Sequence, residues 1–362
     1  MKVPPLESPV LVAGAGPAGL AAALTANHAG REVIVYERSP DVGHRFHDDF
    51  EGLENWSAEG DVLDELESLG IDPTFDHTPV REVIVFDPRW RAHTYRSQRP
   101  FLYLVRRGSS SGTLDTALKR QALMRGVQIR FGEAYHPESG IVAHGPRGAD
   151  AIVVGHVFET TAADGAYAVL SDRLAPKGYA YLLVVRGRGT VASCMFADFR
   201  GNESYLERTV AFFREHVGFD MRNPLRFGGA GNTSVPTTAR RGRTLFVGEA
   251  AGFQDALWGF GMRYAMLSGS LAARAMVSGQ VDDYDRLWKR RLGGILRAGV
   301  VNRLLYATLA ERGYAGLLWL LDRTPDPRAW LRRLYRPSLL TSLLYPLARR
   351  RRTLLARPRP VA

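Results

Sequence analysis

The run VLVAGAGPAGLAAAL near the start of the chain, answered some ten residues later by VIVYE, constrains the fold more than any other feature. Residues 9–13 and 33–37 read as buried strands on either side of a helix from about Pro17 to Ala29, the βαβ pattern of a parallel sheet. Gly14, Gly16 and Gly19 sit between the first strand and that helix, with Pro17 and Ala18 opening it. Glycines at this spacing give a tight turn, close approach of backbone to a pyrophosphate, and close packing of helix on strand. Glu37 ends the second strand, where a carboxylate accepts hydrogen bonds from the two hydroxyls of an adenosine ribose, and Arg38 follows it at the rim. This predicts a dinucleotide site but does not separate FAD from NAD.

The rest of the composition excludes several chemistries. Cys194 is the single cysteine, so neither an internal disulfide nor a multi-cysteine zinc or iron–sulfur centre can form, and no metal site is expected among histidines that lack H-E-x-x-H spacing. Met1 to Ser8 lack an apolar signal core, and no 18-residue apolar run occurs, which predicts a cytoplasmic protein that does not span a membrane. Of 48 basic residues, 18 lie in residues 286–362 beside only 3 of the 37 acidic ones, so the net charge of +11 resides in the tail.

Short β-like runs (VREVIVF, RAHTYR, FLYLV) occupy Val80 to Val105, and TLDTALKRQALMRG at 113–126 reads as an amphipathic helix leading into the strand VQIRFG. More strands follow from Ala166 to Phe199, then a helix near Ser204–His216 and the strand TLFVG at 244–248. The dinucleotide domain is therefore expected to be discontinuous, at 1–75, 106–160 and 235–285. A substrate domain would occupy 76–105 and 161–234, and a basic helical region 286–362.

A second motif, RTLFVGEAAGFQDALWGFGMRYAMLSGSLAARAM, brings a strand to Gly248 and Glu249, then a loop and a small-residue helix. Here the chain resembles the geranylgeranyl reductase family, whose flavin domain has the form G-D-A-A-G-F, a short loop, G-E-G-I and Y-A-x-x-S-G. The resemblance covers about residues 8–280. It implies FAD in a p-hydroxybenzoate hydroxylase-like α/β fold: a Rossmann-type FAD-binding domain with an inserted antiparallel-sheet substrate domain and a helical C-terminus. It places Glu249 against the ribityl chain and Trp258 to Met262, with Gly259, under the isoalloxazine. Backbone N–H groups at Gly261 and Met262 would face the flavin's N1/O2 edge, where a helix N-terminus stabilises anionic charge. The chain departs from the family at Glu249, usually Asp, and at Phe260, usually Glu. The run DAIVVG reaches His156 instead of the Asp-Gly of flavin hydroxylases.

The segment PKGYAYLLVVRGRGTVASCMF at 176–196 resembles the family's Y-x-W-x-F-P segment, with Tyr179 and Tyr181 at aromatic positions. On a strand both point to one face, either lining an apolar slot above the flavin or as ordinary sheet aromatics. Arg106 and Arg107 stand where related flavoproteins reach the FAD phosphates, and equally suit a solvated strand end. His44 and His47 follow Glu37; His47 is either a proton donor or a loop histidine. Asp255, beside the flavin loop, has the same ambiguity.

The resemblance implies a reductase of carbon–carbon double bonds in an isoprenoid or similar lipid, its flavin reduced by NAD(P)H or a ferredoxin-like carrier. An FAD monooxygenase or epoxidase on a lipid or polyketide shares the same FAD motifs, and a non-catalytic lipid-binding escort shares the fold. Within residues 290–362, Trp330, Leu331, Leu334, Tyr335, Leu340, Leu343, Leu344 and Leu347 recur at helical spacing between arginines, and Pro337 and Pro346 break the run. This pattern predicts docking on an anionic membrane surface on the inner face, with a structural cap as the competing role and a nucleic-acid-binding tail at Arg349–Arg352 as the least favoured.

Overall fold

In the computed structural model, residues 8–355 are described. Val10–Ala13 pairs in parallel with Val33–Glu37 on one side and Ser139–Val142 on the other, and Gln128–Phe131 and Arg243–Phe246 extend the sheet. Arg240–Arg241 adds a short antiparallel edge. These strands form a six-stranded sheet in which the glycine loop and Glu37 share one end, the carboxyl ends of the first two strands.

Helix Pro17–His28 is alanine-rich and buried along its length. That composition lets helix Met262–Val277 approach so closely that a Cβ on Gly269 would sit 2.0 Å from the Ala18 carbonyl oxygen. Thr25 and Ser270 satisfy each other across this interface at 3.0 Å. The two nucleotide motifs, some 230 residues apart in sequence, thus become one packed unit.

A seven-stranded sheet runs Arg222–Gly231, Ala151–Glu159, Arg188–Met195, Tyr179–Val185, Gly165–Val169, Glu82–Phe86 and Ala92–Arg96. Its pairings are antiparallel except between Gly165–Val169 and Glu82–Phe86. Alternation along Tyr179–Val185 shows why the two faces differ. Ala180, Leu182 and Val184 pack with Leu206, Val210 and Phe213 of helix Asn202–His216, while Tyr179, Tyr181 and Leu183 face a cavity. Each apolar side chain fully buried this way contributes about 1.5–3 kcal/mol.

Two sequence expectations are corrected. Ala151–Glu159, assigned to the nucleotide domain, is an inner strand of the seven-stranded sheet, because its unbroken apolar run pairs on both edges. Leu102–Arg106, grouped with the runs before it, instead centres a three-stranded sheet between Phe50–Glu54 and His77–Val80. Phe50–Glu54 carried too little apolar alternation to be read as a strand, and neither did glycine-rich Arg222–Gly231.

The C-terminal region is helical: Tyr284–Arg291, Gly293–Asp322 with a break at Ala310, Pro327–Leu334 and Leu339–Leu355. Residues 356–362 lie outside the described ones. Trp330, Leu331, Leu334 and Tyr335, expected to face a lipid surface, pack instead against Trp56, Tyr95, Phe101 and Tyr314, so this part of the tail is a cap on the body. Its apolar stripe meets an aromatic surface of the protein, which the periodicity alone could not distinguish from a bilayer. No helix among the described residues is long and apolar enough to cross a membrane.

Candidate active site

The nucleotide cradle is built from backbone. Gly14 adopts φ +110°, and a Cβ there would come within 2.4 Å of the Ala143 carbonyl oxygen. A Cβ on Gly19 would collide with the Gly14 carbonyl oxygen at 1.9 Å. Gly16 differs: its Cβ position faces open space, the room a pyrophosphate requires. Helix Pro17–His28 starts there with no side-chain cap, leaving its N-terminal dipole for an anion. Glu37 accepts hydrogen bonds from the Ala15 amide at 2.9 Å and the Ser39 amide at 2.8 Å, which fix its carboxylate at the end of the cradle. Arg38 is exposed beside it. These features fit an adenosine and a pyrophosphate.

From the cradle an apolar cavity of about 400 Å³ extends between the sheets and the C-terminal cap. Pro17, Glu249 and Met262 line its nucleotide side, Tyr179 and Tyr181 come from the seven-stranded sheet, and Leu318 and Leu331 come from the cap. Helix Met262–Val277 begins at this wall without a side-chain cap on Gly261. The preceding loop is braced from several directions. The Tyr179 hydroxyl donates to the Trp258 carbonyl at 2.7 Å, and the Trp258 ring meets Tyr179 and Tyr306 edge-on. Phe260 lies against Trp56 and over Gly52, where any Cβ would strike its ring. Gly259 takes φ +82° in this turn, and Gly248 takes φ +55° where the strand turns toward Glu249.

The cavity has one polar wall. Asp49, Glu51 and Glu249 reach it together with Arg45 and Arg107. Arg107 is buried and donates to both oxygens of Asp115 at 2.9 Å and to Glu51 at 3.0 Å. Burial works against its charge, but Asp115 and Glu51 outweigh that and raise its pKa. Arg106 pairs with Asp76 at 2.7 Å and Asp48 at 3.6 Å. Both arginines, read from sequence equally as phosphate ligands or as a solvated strand end, have carboxylate partners in the protein. Burial raises the Glu249 carboxyl, eased by Arg45 at 3.4 Å.

Asp49 is the residue that sequence reasoning missed. It is 2% exposed, and burial, reinforced by Glu51, pushes its carboxyl up to about 7. The His47 amide donates to it at 2.9 Å, whereas the His47 ring itself is exposed. The available signal was the acid pair in VGHRFHDDF, a segment in which only the histidines were weighed, because no period marked the onset of burial.

Residues 9–47 match the FAD binding domain family. No curated protein matches the chain. Among solved structures, a geranylgeranyl bacteriochlorophyll reductase-like protein of Thermoplasma acidophilum superposes with a TM-score of 0.71 at 18% identity, covering 96% of this chain and 98% of that one. The flavin-dependent brominase Bmp2 follows at 0.65 and 16%, covering 95% and 98%. The flavin-dependent monooxygenase PieE, solved with FAD and substrate, gives 0.57 and 16%, covering 96% and 72%. The fold is therefore the p-hydroxybenzoate hydroxylase-like one of FAD-dependent oxidoreductases and monooxygenases, and the cofactor is FAD. Gly14, Gly16, Pro17, Ala18, Gly19 and Glu37 form the cradle whose shape and polarity fit an adenosine diphosphate half.

Proposed function

We propose that this protein reduces carbon–carbon double bonds of an isoprenoid or related lipid. The observation that carries the reading is the cavity: apolar, walled by aromatic and aliphatic side chains from the seven- and three-stranded sheets and the cap, and continuous with the nucleotide cradle. The name of the Thermoplasma protein supports the same substrate class by likeness of fold.

When bound and reduced, FAD supplies a hydride. The chain's own residues do the remainder. Tyr179, Tyr181 and Trp258 form a wall that orients an apolar chain and keeps water from the reacting carbons. The Tyr179–Trp258 hydrogen bond holds the loop before helix Met262–Val277 in register with that wall. With its carboxyl pushed up to about 7, Asp49 carries a proton at and below that pH and delivers it to the second alkene carbon, so that one hydride and one proton saturate the double bond. The carboxylate left behind is stabilised by the His47 amide and the charge of Arg107.

The test is anaerobic photoreduction of the purified holoprotein, followed by polyprenyl alcohols or diphosphates. Reoxidation of the flavin without oxygen, with loss of an alkene from the product, supports the reductase. Turnover that requires oxygen and yields an oxygenated product makes the protein a monooxygenase. A colourless preparation that takes up no added FAD makes it a lipid-binding protein.

A further inference from the structure

The last described helix, Leu339–Leu355, packs on helix Gly293–Asp322 by one side only. Leu344, Tyr345 and Ala348 meet Val300, Val301 and Leu304. Leu340, Leu343 and Leu347, spaced three and four residues apart, form a stripe beside that contact and are 60%, 77% and 47% exposed, with Leu339 at 86% just before them. Four leucines open to water on one helix are a cost that a monomer has no reason to carry.

The surroundings of this stripe decide what covers it. The helix contains no acidic residue, and its sequence runs on through Arg349, Arg350, Arg351 and Arg352. The partner helix adds to the same chemistry. Leu317, Leu318 and Leu321 line the cavity, while Trp319 and Leu320 between them face out, and the Arg323 guanidinium lies 3.8 Å over the Trp319 ring. A tryptophan carrying an arginine is suited to headgroup depth, where the ring is apolar and the cation meets phosphate.

We infer that helix Leu339–Leu355, with the outward side of Gly293–Asp322, seats the protein on an anionic lipid surface. The helix lies along the surface, with Leu339, Leu340, Leu343 and Leu347 in the acyl boundary and exposed Arg350 among the phosphates. A second copy of the chain fits less well, because a symmetric pairing would bring two strongly basic faces together. A nucleic acid would use the arginines and leave the leucines in water. The inference is independent of the reaction proposed above, since it rests on the outer surface alone.

Flotation of the full-length holoprotein with vesicles tests it. With phosphatidylglycerol–phosphatidylcholine vesicles the protein should float at low salt, and the bound fraction should fall about tenfold or more in high salt or with phosphatidylcholine alone. Leu339→Gln, Leu340→Gln, Leu343→Gln and Leu347→Gln together should abolish flotation while FAD content and melting temperature stay unchanged, as all four side chains are exposed. Wild-type protein that stays at the bottom with anionic vesicles overturns the inference, whatever the variant does. So does a quadruple variant that floats as well as wild type. A wild-type dimer in light scattering that the variant splits, without flotation, assigns the stripe to a second copy and overturns it too.

Discussion

The Tyr335 hydroxyl donates to the Asp255 carboxylate at 3.0 Å, tying the C-terminal cap to the loop before helix Met262–Val277. Asp255 also accepts from the Trp258 amide at 2.7 Å and the Leu257 amide at 3.2 Å, so one buried carboxylate fixes both the loop and its cover. Tyr335→Phe removes one bond to a charged acceptor, worth about 1.5–3 kcal/mol. Urea unfolding should show a loss of that size. An unchanged midpoint would mean that cap and loop are held without this bond.

The same carboxyl makes stability depend on pH. Burial pushes Asp255 up to about 6 from its ordinary 3.8. Between those values the folded state keeps a proton that the unfolded state has lost. Its contribution to stability is therefore full below about pH 4, declines as pH rises through about 6, and is flat beyond. The melting temperature of Asp255→Asn relative to wild type should rise across that window and then level off. A difference constant from pH 4 to 8 would show that Asp255 is not raised.

Glu37, held by the Ala15 and Ser39 amides, keeps further lone pairs that would accept from an adenosine ribose bound in the cradle. Glu37→Arg exchanges an acceptor for a bulky cation, and purified protein should lose most of its bound flavin. Cofactor released by heat from the wild type should elute as FAD and not FMN. Full occupancy in the variant would remove the ribose assignment.

How much of this was legible depended on whether a residue's role is local. The glycines and Glu37 were readable because a turn, a helix start and a strand end lie within about thirty residues, and backbone geometry alone dictates them. A period of two put Tyr179 and Tyr181 on one face but left slot lining and ordinary sheet aromatics equally open; both side chains line the cavity. Arg106 and Arg107 were ambiguous because their carboxylate partners, Asp76, Asp48, Glu51 and Asp115, meet them only through the three-stranded sheet and the turn after it. The tail was half legible. Its periodicity is real, yet Trp330 to Tyr335 use it on the protein, whereas Leu339, Leu340, Leu343 and Leu347 leave it facing outward.

Tyr181 stands beside Tyr179, their ring centroids 5.9 Å apart, and both reach the cavity from one strand. Tyr181 has no part in the nucleotide cradle. Tyr181→Ala should therefore lower kcat/KM for a lipophilic substrate by about tenfold or more while FAD content is retained. Flavin lost in step with activity would make the ring a structural element instead.

Asp49 offers the sharpest test of the proposed chemistry. Its carboxyl faces Glu51 on the adjoining strand, with Arg107, Arg45 and Glu249 on the same polar wall. Two of these are cations, and Arg107 is largely committed to Asp115. Burial, reinforced by Glu51, pushes the Asp49 carboxyl up to about 7. A donor with a raised pKa works in its protonated form, so substrate-driven reoxidation should be flat below about pH 7 and fall tenfold per pH unit above it. Asp49→Asn should lose this limb and slow reoxidation by about 10²–10⁴-fold, with photoreduction and FAD content unaffected. An independent reading needs no turnover: pH-difference infrared spectra of wild type should lose a carboxylic acid carbonyl band near pH 7, and the variant should show none. If the variant retains either the kinetic limb or the band, the proton is held elsewhere on the wall.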